Sequence, residues 1–347
     1  MRSHADEIEM SMGAEDAQPR SVSRRAFVSG LTAALLAPSF AARGQGNAAL
    51  GSAAVRLLCG FNAGGTSDIV ARIAAKAMSE QLHGNVVVEN KTGAGGMIAA
   101  EQAARGAPDG HTLLLGSNAT LVLNSALRTS MSYDAQRDFV AVGSLANAPL
   151  LVLARPDLGA DTLGKLAALA SRKPEGVTMG SAGVGAATHL GGELLASRMG
   201  VKFAHIPFPG ESPALTANIG GHVDICMAAV SAALPYVKSG KLKALAVMNP
   251  KRLQVLPEVP TTFELGYPDS AASSWFGVVA PARTPANLIA TLSQSITSGM
   301  SQPSTTKSLL SAGVEPMVGS ADAFNQFVQK EIDRWHPLIR KLGIKID

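Results

Sequence analysis

From Val55 onward, short apolar runs alternate with longer stretches of helical character. Val55-Arg56-Leu57-Leu58-Cys59 reads as a strand, Gly64-Gly65-Thr66-Ser67-Asp68 as a turn, and residues 69–81 as a helix. Residues 86–90 read as a second strand, 91–96 as a glycine-rich turn, 97–105 as a second helix and 112–116 as a third strand. These strands are apolar throughout rather than alternating, as expected of strands buried on both faces. The pattern predicts βαβ units and a parallel sheet covered by helices.

After Phe139 the alternation begins again. Residues 150–154 form an apolar run, followed by a helix near 163–171, a strand near 177–180, a helix from about Thr188, and strands near Ile206, 225–227 and 242–248. A proline-punctuated segment, 250–268, leads to the apolar run 274–280, after which helical periodicity continues to the C-terminus. Two α/β lobes joined by two crossings, near 150–155 and 274–280, explain this layout. Residues 50–152 with 276–347 are expected to form one lobe and 153–275 the other. A cleft between two lobes is a favoured place for a small ligand.

Composition narrows the reading. The 347 residues are 46% hydrophobic and 16% charged, enough apolar content for two real cores and too much for a disordered chain. Aromatic residues make up only 4%, and the net charge of +4 is spread without a polybasic block, which disfavours nucleic acid as a partner. No apolar run is long enough to span a bilayer. Cys59 and Cys226 lie far apart without a Cys or His at ligand spacing, so no disulfide framework, metal or cofactor is expected.

Residues 1–42 have a different character. A long polar stretch precedes Arg24-Arg25, a mildly apolar run follows from Leu31 to Ala37, and small residues surround Ala41. This is the pattern of a Tat-type signal cleaved near Ala41, and it predicts export to the periplasm.

Two local features carry candidate chemistry. Gly64-Gly65-Thr66-Ser67-Asp68 follows a strand and opens a helix, where free N–H groups and the positive end of the helix dipole favour an anion. An ordinary capped βα turn is the competing explanation. Gly180-Ser181-Ala182-Gly183-Val184-Gly185-Ala186-Ala187-Thr188-His189 repeats the design in the second lobe. Other signatures fail on inspection. Residues 159–165 spell G-x-x-x-x-G-K, but Leu166 stands where a P-loop needs Ser or Thr, and Thr188 replaces the third glycine of a dinucleotide fingerprint. Ser304-Thr305-Thr306-Lys307 and Lys91-Thr92-Gly93 are in the wrong order for a β-lactamase.

The order of motifs resembles the Bug family, the periplasmic substrate-binding proteins of tripartite tricarboxylate transporters. The resemblance rests on residues 60–68, on V-V-V-E-N-K-T-G-A-G-G from Val86 to Gly96, on residues 107–114 and 180–190, and on later stretches including Leu256-Pro257-Glu258-Val259-Pro260-Thr261 and Trp275-Phe276-Gly277. It implies a two-lobed type II periplasmic-binding-protein-like α/β fold closing over a small organic acid. It also implies membrane components of a tripartite transporter or a sensor kinase as partners, and a monomeric protein. The ligand-surrounding positions it implies are Phe61, Asn62, Ala63, Gly64, Gly65, Thr66 and Asp68 in the first loop, Ser117 and Asn118 in another, and Ser181, Gly183, Gly185, Thr188 and His189 in the second lobe, with Phe208 and Ala228 beside them.

Three departures from the family pattern bear on the ligand. Phe208 lacks the hydroxyl of the usual Tyr, Pro209 lacks a cation, and Ala228 lacks a carboxylate that could hold an amino group. A carboxylate without an amino group is therefore expected. Two alternatives remain open: a periplasmic hydrolase or lyase using His189 or Asp68 as general base in the same cleft, and a scaffold protein with a vestigial cleft.

Overall fold

The computed structural model describes residues 50, 53–173 and 175–346. The expected signal segment lies outside the described residues.

The first strands and helices follow the predicted alternation: β1 (Val55–Cys59), α1 (Thr66–Leu82), β2 (Val86–Asn90), α2 (Met97–Ala104), β3 (Thr112–Ser117) and a short α3 (Asn124–Leu127). Next come β4 (Phe139–Ala154), α4 (Leu163–Arg172), β5 (Val177–Ser181), α5 (Ala187–Met199), β6 (Phe203–Pro207), α6 (Glu211–Ile219), β7 (Ile225–Ala229), α7 (Val230–Lys238) and β8 (Lys243–Val247). The chain ends with β9 (Ser273–Pro281), α8 (Ala286–Met300), α9 (Pro303–Ser311), β10 (Glu315–Gly319) and α10 (Ala321–Leu342).

The sheet order is β2-β1-β3-β9-β4-β7-β5-β6, with β10 and β8 also paired to β4. It is mixed rather than wholly parallel. β1 pairs in parallel with β2 and β3, and β5 with β6 and β7, as βαβ units require, but every contact made by β4 and β9 is antiparallel. Those two strands join the halves instead of belonging to one βαβ series.

β4 begins at Phe139, well before the apolar run at 150–154. From Phe139 to Pro149 it pairs with β9, and from Leu150 to Ala154 with β7. The change of partner falls at Pro149, whose ring nitrogen has no N–H to continue a ladder. The returning segment is tied in beside it: Leu150 N–H donates to Ala272 O at 3.1 Å, and Ala272 N–H to Met248 O at 3.0 Å. The core strands are almost solvent-free, with Leu57, Leu113, Leu115, Val152 and Met227 packed in one apolar cluster beneath the helices. Both cysteines are buried and free, and burial raises their thiol pKa values, that of Cys59 to about 11.

Candidate functional site

Beyond Cys59 the chain turns through residues 60–65 into α1. Gly65 caps that helix in an extended conformation (φ −79°, ψ 172°) and has no side chain to offer, so no side-chain cap occupies the first N–H groups. Asp68, in the first turn, is engaged elsewhere. Its carboxylate accepts from Gly64 N–H at 2.9 Å, Arg72 Nε at 2.9 Å and Asn90 Nδ2 at 3.1 Å. Burial raises its pKa, but these three donors outweigh burial and hold it below the usual range. Asn62, Ala63 and Gly64 are exposed, while the Phe61 ring packs over Gly96.

The second turn is built alike. Ala186 caps α5 in an extended conformation and again supplies no side-chain acceptor. The polar side chains around it serve the turn itself. Thr188 Oγ1 accepts from Ala182 N–H at 2.9 Å, and His189 Nδ1 accepts from Gly185 N–H at 3.1 Å. Ser181 Oγ lies 2.6 Å from His205 Nε2 and accepts from Gly183 N–H at 3.1 Å. Gly185 has φ 76°, and an added Cβ would lie 2.5 Å from the Leu127 side chain and 2.6 Å from that of Ile346.

Ser117 and Asn118 are also buried. Asn118 Nδ2 donates to Ser273 O at 3.1 Å, and Ser117 N–H donates to Thr120 Oγ1 at 3.0 Å. Phe208 N–H donates to Ser181 O at 3.0 Å, which places this residue beside the second turn. Ala228 is fully buried in β7, opposite Leu151. The turns are linked by packing: Phe61 and Thr120 flank Gly96, Asn124 Nδ2 donates to Gly95 O at 3.1 Å, and Leu127 reaches Gly185.

None of these groups is set up as a strong general base. Burial, with His205 as a lesser cause, pushes His189 down to about 3, and Asp68 has its carboxylate occupied by donors. The Ser181–His205 contact has the length of a nucleophile–base pair, yet Ser181 has no exposed surface. Among the described residues, no group of three or more His, Cys, Asp or Glu is placed to hold a metal.

Glu211 is a residue that sequence reasoning missed. Standing at the start of α6, it accepts from Ala229 N–H at 2.9 Å through Oε1 and from the Thr66 hydroxyl at 3.2 Å through Oε2. Thr66 Oγ1 also lies 2.6 Å from Ser231 Oγ. The Thr66 hydroxyl, expected to face a ligand, thus ties the start of α1 to α6 and α7. A carboxylate expected to be missing at 228 is present one residue away in space, supplied by Glu211. Its acidic side chain follows Pro207-Phe208-Pro209-Gly210, where it reads as an unremarkable first-turn acid. Cavities of about 300 Å³, lined in part by Asn147, Trp275, Glu315 and Glu331, and about 540 Å³, lined in part by Asp161, Lys243 and Leu265, take no lining residue from these turns, though the first borders Ser273, the acceptor of the Asn118 amide.

Residues 70–344 match the tripartite tricarboxylate transporter family receptor, TctC. The chain belongs to this family. It is 34% identical over 293 residues to Protein BugT of Bordetella pertussis, covering 84% of this chain and 90% of that one. Among solved structures, the R. palustris protein Rpa4515 with adipate superposes with a TM-score of 0.80 at 31% identity, covering 84% of this chain and 97% of the other. MatC from Rhodopseudomonas palustris with bound malate gives 0.76 at 31%, covering 82% and 98%. The two-lobed periplasmic-binding fold and the role of a periplasmic solute-binding receptor follow from this membership. The family is one of receptors rather than enzymes, in line with the poor bases found in the turns.

Proposed function

We propose that this receptor captures a small organic carboxylate between the starts of α1 and α5. The observation that carries the reading is the shared construction of the two turns. Each follows a strand, each is rich in glycine, and each opens a helix whose cap residue, Gly65 or Ala186, leaves the first N–H groups without a side-chain partner. Such an end attracts an anion through its N–H groups and its dipole, without a basic side chain. The adipate and malate held by two relatives are consistent with that chemistry.

Phe61, Asn62, Ala63, Gly64 and Gly65 would contribute mainly backbone and surface, and Gly183 and Gly185 would do the same in the second turn. Residues 50–152 with 276–347 would form one lobe and 153–275 the other, a division supported by the change of β4 partners at Pro149. The ligand would pass to membrane components of a tripartite transporter or to a sensor kinase. The receptor would act as a monomer, exported by the Tat route with cleavage near Ala41. Glu211 brings a carboxylate to the end of β7 that Ala228 does not supply, so the ligand screen includes amino acids beside simple carboxylates.

The test is a thermal-shift screen of the mature protein against mono-, di- and tricarboxylates and amino acids. Ligand at a hundredfold excess over Kd stabilises the folded state by about 2.7 kcal/mol. A clear rise in melting temperature with one class of acid supports the reading, and a flat response across the whole panel overturns it.

A further inference from the structure

We infer that Glu211 is a specificity-determining residue of this receptor: it admits an anionic ligand to the cleft together with a proton. The inference rests on the carboxylate-receptor reading above and deepens it.

Glu211 sits where the two halves of the molecule meet. Its carboxylate joins α6 to the end of β7 through Ala229 N–H and to the start of α1 through Thr66. Thr66 is the first residue of the helix whose free N–H groups are the proposed anion site, so the acid stands one hydroxyl away from it. Among the described residues, no Lys, Arg or His approaches Glu211 within the 4.0 Å of an ion pair. Glu211 is half-buried, and a carboxylate drawn partly out of water without a cation is costlier to keep ionised than a free one.

The groups that face it do not relieve that cost. From α1 comes the Thr66 hydroxyl, while the Asp68 carboxylate is engaged by Gly64 N–H, Arg72 and Asn90. From β7 comes Cys226, a buried thiol that Glu211 pushes further toward the neutral form. α7 contributes Ser231 near the acid, with Tyr236 and Lys238 only on its last turn, and β5 has no titratable side chain. Burial accordingly raises the Glu211 pKa, against smaller opposing effects of Ala229 N–H and Thr66.

The hydroxyl pair transmits the charge state. With Glu211 ionised, the Thr66 hydroxyl donates to Oε2 and can accept only from Ser231. With Glu211 protonated, the carboxyl O–H can donate to Thr66 Oγ1, Thr66 can donate to Ser231 Oγ, and the Ser231 hydrogen is released to meet an acceptor. A carboxylate docked at α1 repels the ionised acid and raises its pKa further. The proton is then taken from solvent on binding, and affinity increases as pH falls through the interval between the free and bound pKa values.

The experiment is isothermal titration of the full mature protein with adipate, malate and aspartate from pH 5 to 8, in two buffers of different ionisation enthalpy, for wild type and Glu211→Gln. We expect uptake of up to one proton with adipate or malate and an affinity slope approaching about tenfold per pH unit. Glu211→Gln should lose both effects and bind these acids at least as tightly at pH 8. Binding by the wild type with no proton uptake, or an unchanged slope in Glu211→Gln, overturns the inference while leaving the carboxylate reading intact. A loss confined to aspartate in Glu211→Gln also overturns it, since the acid would then be pairing with a ligand ammonium. Absence of binding by all three probes at every pH counts against the carboxylate reading itself. Thr66→Val, which keeps shape and removes the hydroxyl, provides a second variant: it should bind with a weakened pH slope.

Discussion

The imidazoles of His189 and His205 stack face to face, with centroids 3.7 Å apart and planes 12° from parallel. They come from different elements, α5 and β6; His189 Nδ1 accepts from Gly185 N–H, His205 Nε2 lies 2.6 Å from Ser181 Oγ, and Glu193 Oε1 stands 3.8 Å from His189 Nε2. Two stacked imidazolium ions would repel, so the pair fixes the second turn only while uncharged. Burial pushes His205 down to about 4 and, with the charge of His205 as a lesser cause, His189 down to about 3.

That pair makes stability depend on pH in a definite direction. Histidines of the unfolded chain take up protons near pH 6.5, whereas the folded pair resists until about 4 and about 3. The unfolded state therefore binds more protons within that window. The stabilisation is fully present above about pH 6.5 and is lost as pH falls toward the folded values. Urea unfolding at pH 7, 5.5 and 4.5 should show a progressive loss, and His205→Asn should flatten it. An identical slope in that variant would mean the loss originates elsewhere.

The βα turns were legible because glycine clusters sit between continuous apolar runs and helical stretches, a local signal that survives folding unchanged. β10 was not, since Glu315-Pro316-Met317-Val318-Gly319 contains a proline and a glycine and lies between helical patterns. The first part of β4 was hidden similarly, by Gly143, Asn147 and Pro149 among its apolar residues. The sheet's antiparallel joints were also out of reach, because β4 and β9 are paired by long-range register rather than by their own periodicity. Within the site, the motif order located both turns. It could not show that Thr66 would be engaged by Glu211 and Ser231, because those contacts join residues far apart in sequence.

A second acid is structural. Glu331 Oε2 accepts from the indole N–H of Trp275 at 2.8 Å and of Trp335 at 3.0 Å, pinning α10 to β9. Removing the carboxylate leaves two largely buried donors unpaired, each costing about 1–3 kcal/mol. Glu331→Ala should lower unfolding free energy by roughly 2–4 kcal/mol, allowing for partial access of water to the emptied site. Glu331→Gln, which keeps one acceptor oxygen, should recover part of that loss. Chemical denaturation monitored by tryptophan fluorescence measures both, and a loss below about 0.5 kcal/mol for Glu331→Ala would contradict the assignment.

Export is testable apart from binding. The expected signal falls in residues 1–42, where Arg24-Arg25 precedes the apolar run. Replacing both with lysine keeps the charge but removes the guanidinium pair that defines a twin-arginine signal. Cell fractionation should find the uncleaved precursor in the cytoplasm. Normal appearance of the mature protein in the periplasm would rule out a Tat requirement.

The two turns can be separated by paired glycine substitutions. Gly65 has φ −79°, which any residue adopts, and an added Cβ would meet only Asn62 O at 3.4 Å. Gly65→Val should therefore fold with a melting temperature near that of wild type, while its γ carbons obstruct the free N–H groups of α1. Carboxylate affinity should fall at least about tenfold, the equivalent of 1.4 kcal/mol. Gly185 is the opposite case. Its φ of 76° disfavours a side chain, and Leu127 and Ile346 leave no room for one, so Gly185→Ala should cost about 1–3 kcal/mol of stability as well as disturb the second turn. Calorimetric melting and titration on both variants distinguish the outcomes. If Gly65→Val retains full affinity, the start of α1 does not hold the ligand, whatever Gly185→Ala does to the fold.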